Sequence, residues 1–120
     1  MEFDNNLPIY IQIMDYIKRQ IAVGELKEGE KLPSVRQMSM KLKVNPNTIQ
    51  RSYQELERED LLYTQRGMGT FVKEDSTLIS KVKSDMAANL IKDFIEDMKS
   101  LGFTSQDITK LVNCKIEEGQ

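Results

Sequence analysis

Side chains that can hydrogen-bond to nucleic-acid bases cluster in the middle of the chain. They are Asn45, Asn47, Gln50 and Arg51. Asn and Gln can each donate to and accept from the edge of adenine, and Arg can donate two hydrogen bonds to guanine. If a helix begins at this point, its first turn and a half presents these side chains together. The N-terminal end of such a helix is the part that enters the major groove of DNA.

The same segment lies in a window that lacks acidic residues. From Lys31 to Gln54 the chain has five Lys or Arg and no Asp or Glu, although the whole protein has 17 basic and 19 acidic residues and a formal net charge of -2. A surface locally free of carboxylates favours contact with phosphate. Arg36, early in this window, is placed to reach bases or backbone. Arg51 has no acidic residue nearby, and the alternative is that it is a solvated surface side chain.

Helix-start signals place the polar cluster on the second of two short helices. Asn45 followed by Pro46 is typical of an N-cap and the first helical position. Ser34 with Gln37 three residues later is typical of a capping box for the preceding helix. Two residues separate the predicted helices, so the pair is a helix-turn-helix. Asn45 serves as a cap with or without DNA, and the free N–H groups at either helix start can hold a phosphate.

The flanking segments complete a winged helix. Isoleucines at four-residue spacing between Pro8 and Gly24 predict a first helix. Residues 61–65 and 70–72 are β-prone and flank two glycines, which predicts a hairpin, the wing. Residues 30–32 predict a short strand that pairs with this wing. Turn geometry explains the glycines, and the absence of side chains there also lets the wing approach a DNA backbone.

The rest of the chain predicts two helices with apolar faces. The first runs from Ser76 to Leu101, and Thr104 with Asp107 forms a capping box for the second. The longer helix carries two adjacent apolar rows, more than the shorter one can cover, and a large exposed apolar patch marks an interface. We therefore predict a DNA-binding domain at 1–75 and a helical dimerisation hairpin at 76–120. The alternative is a tail that folds back onto the winged helix of the same monomer. The predicted dimer-interface residues are Val82, Met86, Leu90, Ile91, Phe94, Ile95, Met98, Ile108, Leu111 and Val112.

The composition argues against catalysis, metal binding and membrane insertion. The chain has no His, and its one Cys, Cys114, excludes an internal disulfide. No carboxylate pair, phosphate-binding glycine loop or metal-ligand spacing occurs, so we expect no enzyme activity and no cofactor. No apolar run reaches the ~18 residues that span a bilayer, and the acidic N-terminus is unlike an export signal, so we expect a cytoplasmic protein. Cys114 is expected to be a small apolar residue of the last helix, with redox sensing as the alternative.

Five segments together resemble the winged-helix domain of GntR-type bacterial transcription regulators. They are Pro8–Ile13, Gly24–Arg36, Val44–Thr48, Tyr53–Glu57 and Arg66–Val72. The match covers about residues 7–73, and Lys99–Thr104 between two helices is similar to the tail of the YtrA subfamily. The resemblance implies a dimeric repressor that binds an inverted repeat in double-stranded DNA, often controlling genes for an ATP-driven transporter.

The resemblance also implies which residues contact DNA. These are Arg36, Asn47, Thr48, Arg51 and the wing segment Arg66-Gly67. Many family members have an Arg early in the recognition helix where this chain has Pro46-Asn47, which favours backbone or adenine contacts there. The full predicted DNA-binding set is Ser34, Arg36, Asn45, Asn47, Thr48, Gln50, Arg51, Arg66, Gly67 and Gly69.

Two alternatives concern the partners. About 45 residues follow the winged helix, too few for a roomy metabolite pocket, which leaves an effector at the dimer interface as an open alternative. A winged-helix adaptor that contacts other proteins is the rival function.

Overall fold

The computed structural model describes residues 1–119 of the chain. In this part, five α-helices and one two-stranded antiparallel sheet occur, which confirms the predicted fold class, mostly α with a small β wing. The elements are α1 (Ile9–Ala22), α2 (Val35–Leu42), α3 (Pro46–Arg58), β1 (Leu62–Gln65), β2 (Gly69–Val72), α4 (Ser76–Ser100) and α5 (Ser105–Glu118). The chain divides into two compact units, an N-terminal unit (Met1–Lys83) and a C-terminal unit that begins at Ser84.

In the N-terminal unit, one face of each helix and strand contributes side chains to the core. Ile13, Ile17 and Ile21 of α1 are buried because residues four apart lie on the same side of a helix. Ile9, at the start of this row, stays largely exposed. The remaining core residues are Leu26, Leu32, Met38, Leu42, Ile49, Tyr53, Leu56, Leu61, Leu62 and Val72.

The helix-turn-helix is held at both of its helix starts by side-chain caps. The Ser34 hydroxyl accepts from the N–H of Gln37, and the Gln37 side-chain oxygen accepts from the N–H of Ser34, so the predicted capping box is confirmed. The Asn45 side chain accepts from the N–H of Asn47 at 2.8 Å, with Pro46 in the first position of α3. Between the helices, the Ser39 hydroxyl donates to the carbonyl of Val44 and closes the turn. The start of α3 is therefore fixed by local hydrogen bonds.

The hairpin pairs Leu62 with Val72 at one end and Gln65 with Gly69 at the other. The strand predicted at residues 30–32 is present only as a single bridge between Lys31 and Phe71. The N–H of Leu32 donates to Thr70 and the N–H of Val72 donates to Glu30, so the pairing itself is as expected. The pairing does not continue beyond Leu32, because the chain enters the start of α2 there and the N–H of Ser34 donates to the side chain of Gln37 instead.

The last two helices, α4 and α5, end or begin at predicted signals. Gly102, at φ +91°, follows α4, and the Phe103 N–H donates to the carbonyl of Met98. The Thr104 hydroxyl and the Asp107 carboxylate form the predicted capping box of α5. Along the described length of both helices, no Cα of α4 lies within 8 Å of a Cα of α5. Closely packed helices have axes about 8–10 Å apart, so the backbones of α4 and α5 are more widely spaced than those of such a pair.

Two further observations concern α4 and the membrane. Leu78, Ile79 and Val82, near the start of α4, pack against the N-terminal core. The division of the chain into domains at 75/76 stays a prediction.

Among the residues described, no helix is both long and apolar enough to cross a membrane.

Candidate nucleic-acid interface

The exposed face of α3 carries the polar side chains that the sequence indicated. Ile49, Ser52, Tyr53 and Leu56 are buried, which turns Asn47, Gln50 and Arg51 outward. Those three therefore share one exposed face near the helix start. Thr48, between them, is only half exposed.

Asn45 and Ser34 lie at helix starts, where their side chains act as caps. The side-chain oxygen of Asn45 already accepts from Asn47, and the hydroxyl of Ser34 already accepts from Gln37. The capping role predicted for both residues is confirmed, and base contacts from them stay predictions. Arg36 lies in the first turn of α2 and is exposed.

A buried tyrosine fixes the start of α2 relative to α3. The Tyr53 hydroxyl donates to the carbonyl of Pro33 at 2.7 Å, immediately before the cap residue Ser34. Burial raises the pKa of Tyr53 well above its usual value, so the hydroxyl stays protonated and keeps donating. This bond ties α3 to the segment that presents Arg36.

The cations of this surface have no acidic partners among the described residues. Within the N-terminal unit the ion pairs are Lys18–Glu59, Arg19–Asp15 and Arg58–Glu55. None of them includes Arg36, Lys41, Lys43, Arg51 or Arg66. The acidic residues of α3 lie in its last two turns, where Arg58 pairs with Glu55. The N-terminal end of α3 is thus positive and available to phosphate.

Arg51 has an aromatic partner that we did not predict. Its guanidinium carbon lies 3.7 Å from the centre of the Tyr10 ring. Tyr10 belongs to α1, 41 positions earlier, so no local pattern reveals the contact. The one available signal is that Tyr10 precedes the buried Ile13 by three residues and borders the same helix face. An α1 packed on α3 then places it beside Arg51.

The wing forms a separate element of the candidate interface. Arg66 and Met68 are exposed at its tip, and Gly67 has a φ of +79°. Gly69 has a φ of +121°, which L side chains rarely adopt, and a Cβ there would lie 2.7 Å from the Cε of Lys31. The Lys31 side chain therefore lies across the hairpin backbone, but its flexible end could move aside, so the φ value is the reason for glycine. The sequence indicated turn geometry and a close approach to a DNA backbone for this glycine, and the contact with Lys31 was not predicted.

The predicted dimer-interface residues differ in exposure. Leu90, Ile91, Phe94 and Leu111 are 55%, 58%, 42% and 40% exposed. Met86, Ile95, Met98 and Val112 are half-buried, Ile108 is buried, and Val82 packs on the N-terminal core. Between α4 and α5 lies an apolar cavity of 440 Å³, lined by Phe94, Met98, Leu111, Val112, Lys115 and Ile116. The outermost apolar surface of α4 is therefore centred on Leu90, Ile91 and Phe94.

Metal binding has no support in this part of the chain. Residues 1–119 contain no group of three His, Cys, Asp or Glu side chains arranged to hold a metal ion. Cys114, which we expected to behave as an apolar residue, is exposed on α5.

Comparison with known families identifies the regulator class. Residues 9–72, more than half of the chain, match the profile of the gntR family of bacterial regulatory proteins. The protein belongs to this family. Its members are DNA-binding transcription regulators rather than enzymes, and the helix-turn-helix described above is their DNA-binding element.

Individual relatives extend the match into the C-terminal unit. The uncharacterized HTH-type transcriptional regulator YhcF of Bacillus subtilis is 40% identical, over 98% of both proteins. The HTH-type transcriptional repressor YtrA of Bacillus subtilis is 38% identical, over 82% of this chain and 76% of YtrA. A solved GntR family transcriptional regulator from Listeria monocytogenes has a TM-score of 0.86 and 43% identity, covering 92% of this chain and 97% of that one. The chain is YtrA-like within the family.

Proposed function

We propose that this regulator is a homodimeric repressor that binds an inverted-repeat operator. One observation carries the proposal: Asn47, Gln50 and Arg51 share the exposed face at the start of α3, and within residues 1–119 no acidic side chain pairs with the arginine. Side chains of this kind can hydrogen-bond to base edges, and no carboxylate beside Arg51 repels the nearby phosphates.

Each predicted contact has a distinct role in this proposal. Asn47 and Gln50 offer amide groups that pair with adenine, and Arg51 offers the paired donors that recognise guanine. Arg36 and the unpaired N–H groups of the first turn of α2 bind backbone phosphate, as helix starts do. Arg66 and Gly67 bring the wing against the adjacent backbone. Base contacts from α3 would determine which DNA sequence is bound, and the other contacts would fix the position of the protein along the DNA.

A second copy of the chain accounts for the apolar surface of the C-terminal unit. Leu90, Ile91 and Phe94 are all more than two-fifths exposed, and α5 does not cover them. Contact between two such units buries these side chains and makes a twofold-symmetric pair. The two recognition helices then meet half-sites about 34 Å apart or a multiple of that distance, which requires an inverted repeat.

Two finer proposals follow from this arrangement. The 440 Å³ cavity between α4 and α5 is apolar and lies beside the proposed contact, so it is where a small apolar effector would bind. The likeness to YtrA-type regulators supports an operon for an ATP-driven transporter as the target. A shift of the melting temperature by a candidate effector tests the first proposal.

Binding-site selection from random DNA with the purified protein tests the main proposal. We expect an inverted repeat, bound about 10³-fold or more tightly than random DNA at physiological salt. Binding is then measured over a range of salt concentrations, because phosphate contacts alone give strong salt dependence without sequence preference. Equal affinity for the selected operator and random DNA would remove the specificity and favour the adaptor function. Full affinity for an isolated half-site would contradict the proposal that the protein binds DNA as a dimer.

A further inference from the structure

We infer that Tyr10 is a positioning residue for DNA recognition, because its ring holds the Arg51 guanidinium flat with its hydrogen-bond donors free. The inference rests on the proposed role of Arg51 in operator binding. It assigns a function to a residue of α1, a helix outside the helix-turn-helix.

The distance defines how the two groups meet. The guanidinium carbon lies 3.7 Å from the ring centre. If one of its nitrogens pointed straight at the ring, a C–N bond of about 1.33 Å would place that nitrogen only about 2.4 Å from the centre, well inside contact distance. The short distance therefore excludes an end-on approach and favours an orientation in which the guanidinium plane stacks on the ring. In this orientation its π face rests on Tyr10 and its N–H groups point sideways.

The donors of Arg51 are not used elsewhere. Within the described residues, its side chain takes part in no ion pair and no hydrogen bond to another side chain or carbonyl. A planar guanidinium can stack through its face and still donate two parallel hydrogen bonds from its edge. The stacked Arg51 is thus restricted in conformation before DNA arrives, and less conformational entropy is lost on binding.

Tyr10 is itself anchored to the recognition helix. Ser52, next to Arg51 in α3 and fully buried, donates from its hydroxyl to the carbonyl of Tyr10 at 3.0 Å. The same hydroxyl lies 3.0 Å from the carbonyl of Thr48 within α3. Ser52 therefore links the backbone of α1 to α3 at the residue whose ring lies under Arg51. The Tyr10 hydroxyl has no hydrogen-bond partner among residues 1–119, so the ring alone makes the contact.

A double-mutant cycle on operator binding tests the inference. Tyr10→Leu removes the ring but keeps apolar bulk, and Tyr10→Phe is the matched control because it removes only the unbonded hydroxyl. We expect operator binding to weaken about two- to fivefold in Tyr10→Leu, the effect of one exposed cation–π contact, and to be unchanged in Tyr10→Phe. In the Arg51→Ala background, Tyr10→Leu should have no further effect, because the residue that it positions is gone.

Two results separate this inference from the proposed function. If Arg51→Ala weakens operator binding and Tyr10→Leu does not, or if Tyr10→Leu weakens it equally with and without Arg51, the positioning role is lost while specific DNA binding stands. If the unmodified protein does not distinguish operator from random DNA, the proposed function is lost and this inference with it.

The stack itself can be measured without DNA. In NMR spectra, the Arg51 side-chain protons should be shifted upfield by the ring in the unmodified protein and in Tyr10→Phe, and should return to ordinary positions in Tyr10→Leu. Ordinary positions in the unmodified protein would overturn the inference. This measurement does not depend on whether Tyr10→Leu retains full stability.

Discussion

The two compact units bury their apolar residues to very different extents. The N-terminal unit has 13 buried hydrophobic residues in one core, contributed by α1, α2, α3, the wing and the connecting segments. In the described part of the C-terminal unit, only Ile108 is buried, although α4 and α5 both carry apolar faces. The first unit buries most of its large apolar side chains in its own core, and the second leaves most of its apolar side chains at least partly exposed.

The difference shows how physical tasks are divided along the chain. A recognition helix must be held rigidly, and α3 is fixed by a cap, by Ser52 and by Tyr53 within a complete core. An association surface must stay incomplete in the monomer, because apolar area that is already covered cannot drive binding. A unit of fewer than 40 residues with one buried hydrophobic side chain is too small to be stable alone. The predictions below test this division.

The largest effect is expected from the core of the N-terminal unit. Leu56→Ala removes a fully buried side chain from α3 and should lower the free energy of unfolding by about 2–5 kcal/mol. Leu101→Ala, at a residue 73% exposed, is the matched control and should change it by about 0.5 kcal/mol or less. Urea denaturation followed by circular dichroism gives both values. Similar losses for the two variants would contradict the contrast between the units.

Self-association should respond most to the exposed row of α4. Phe94→Lys places a charge in the proposed contact of both copies and should weaken dimerisation about a hundredfold or more. Lys92→Ala, at an exposed polar position of the same helix, should leave it unchanged. Sedimentation equilibrium over a range of concentrations measures the dissociation constant. An unmodified protein that stays monomeric at all concentrations would contradict the proposed dimer.

DNA binding should depend on the N-terminal unit through individual side chains. Arg51→Ala and Arg36→Ala should each weaken operator binding, by about 5- to 150-fold where the arginine pairs with a base. If the arginine contacts only phosphate, its replacement should instead lower the slope of log affinity against log salt concentration by about one. Arg58→Ala, which removes the same charge from the far end of α3, is the control and should bind normally. Fluorescence anisotropy with labelled operator separates these cases, provided that the variants keep the melting temperature of the parent.

Local signals in the sequence were sufficient for most of the fold. Ser34, Asn45 and Thr104 are correctly predicted as caps because capping depends on residues two or three positions away. The strand at residues 30–32 is shorter than predicted, since its length depends on where pairing with the wing can continue. Gly69 and Lys31 meet only in the folded hairpin, so their contact has no sequence signal.

The candidate site shows the same limit. Exposure of Asn47, Gln50 and Arg51 follows from helix periodicity, because the buried residues of α3 are apolar or small. The stack of Arg51 on Tyr10 depends on how α1 crosses α3, which no spacing within either helix specifies. Tertiary packing therefore determined the part of the site that the sequence did not reveal.

The smallest expected effect compares the two capping boxes, one in each unit. In α2 the N–H of Ser34 donates to the Gln37 amide oxygen, and in α5 the N–H of Thr104 donates to the Asp107 carboxylate. The pKa of Asp107 is lowered, first by the hydrogen bond from the Thr104 backbone and then by the Thr104 side chain. Because the folded pKa is depressed, this contribution to helix stability is complete above the ordinary aspartate pKa of about 4 and is lost as the pH falls through the lower folded value.

The two amide protons report this difference directly. In an NMR titration from neutral to acidic pH, the Thr104 amide resonance should move with a midpoint below the ordinary aspartate value, because protonation of Asp107 weakens the bond it accepts. The Ser34 amide should show no such transition, since a glutamine does not titrate. Asp107→Asn, which keeps the acceptor oxygen and removes the charge, should abolish the movement at Thr104. A shared midpoint at both amides would instead indicate general acid unfolding, and the two caps would then not differ in the way their residues require.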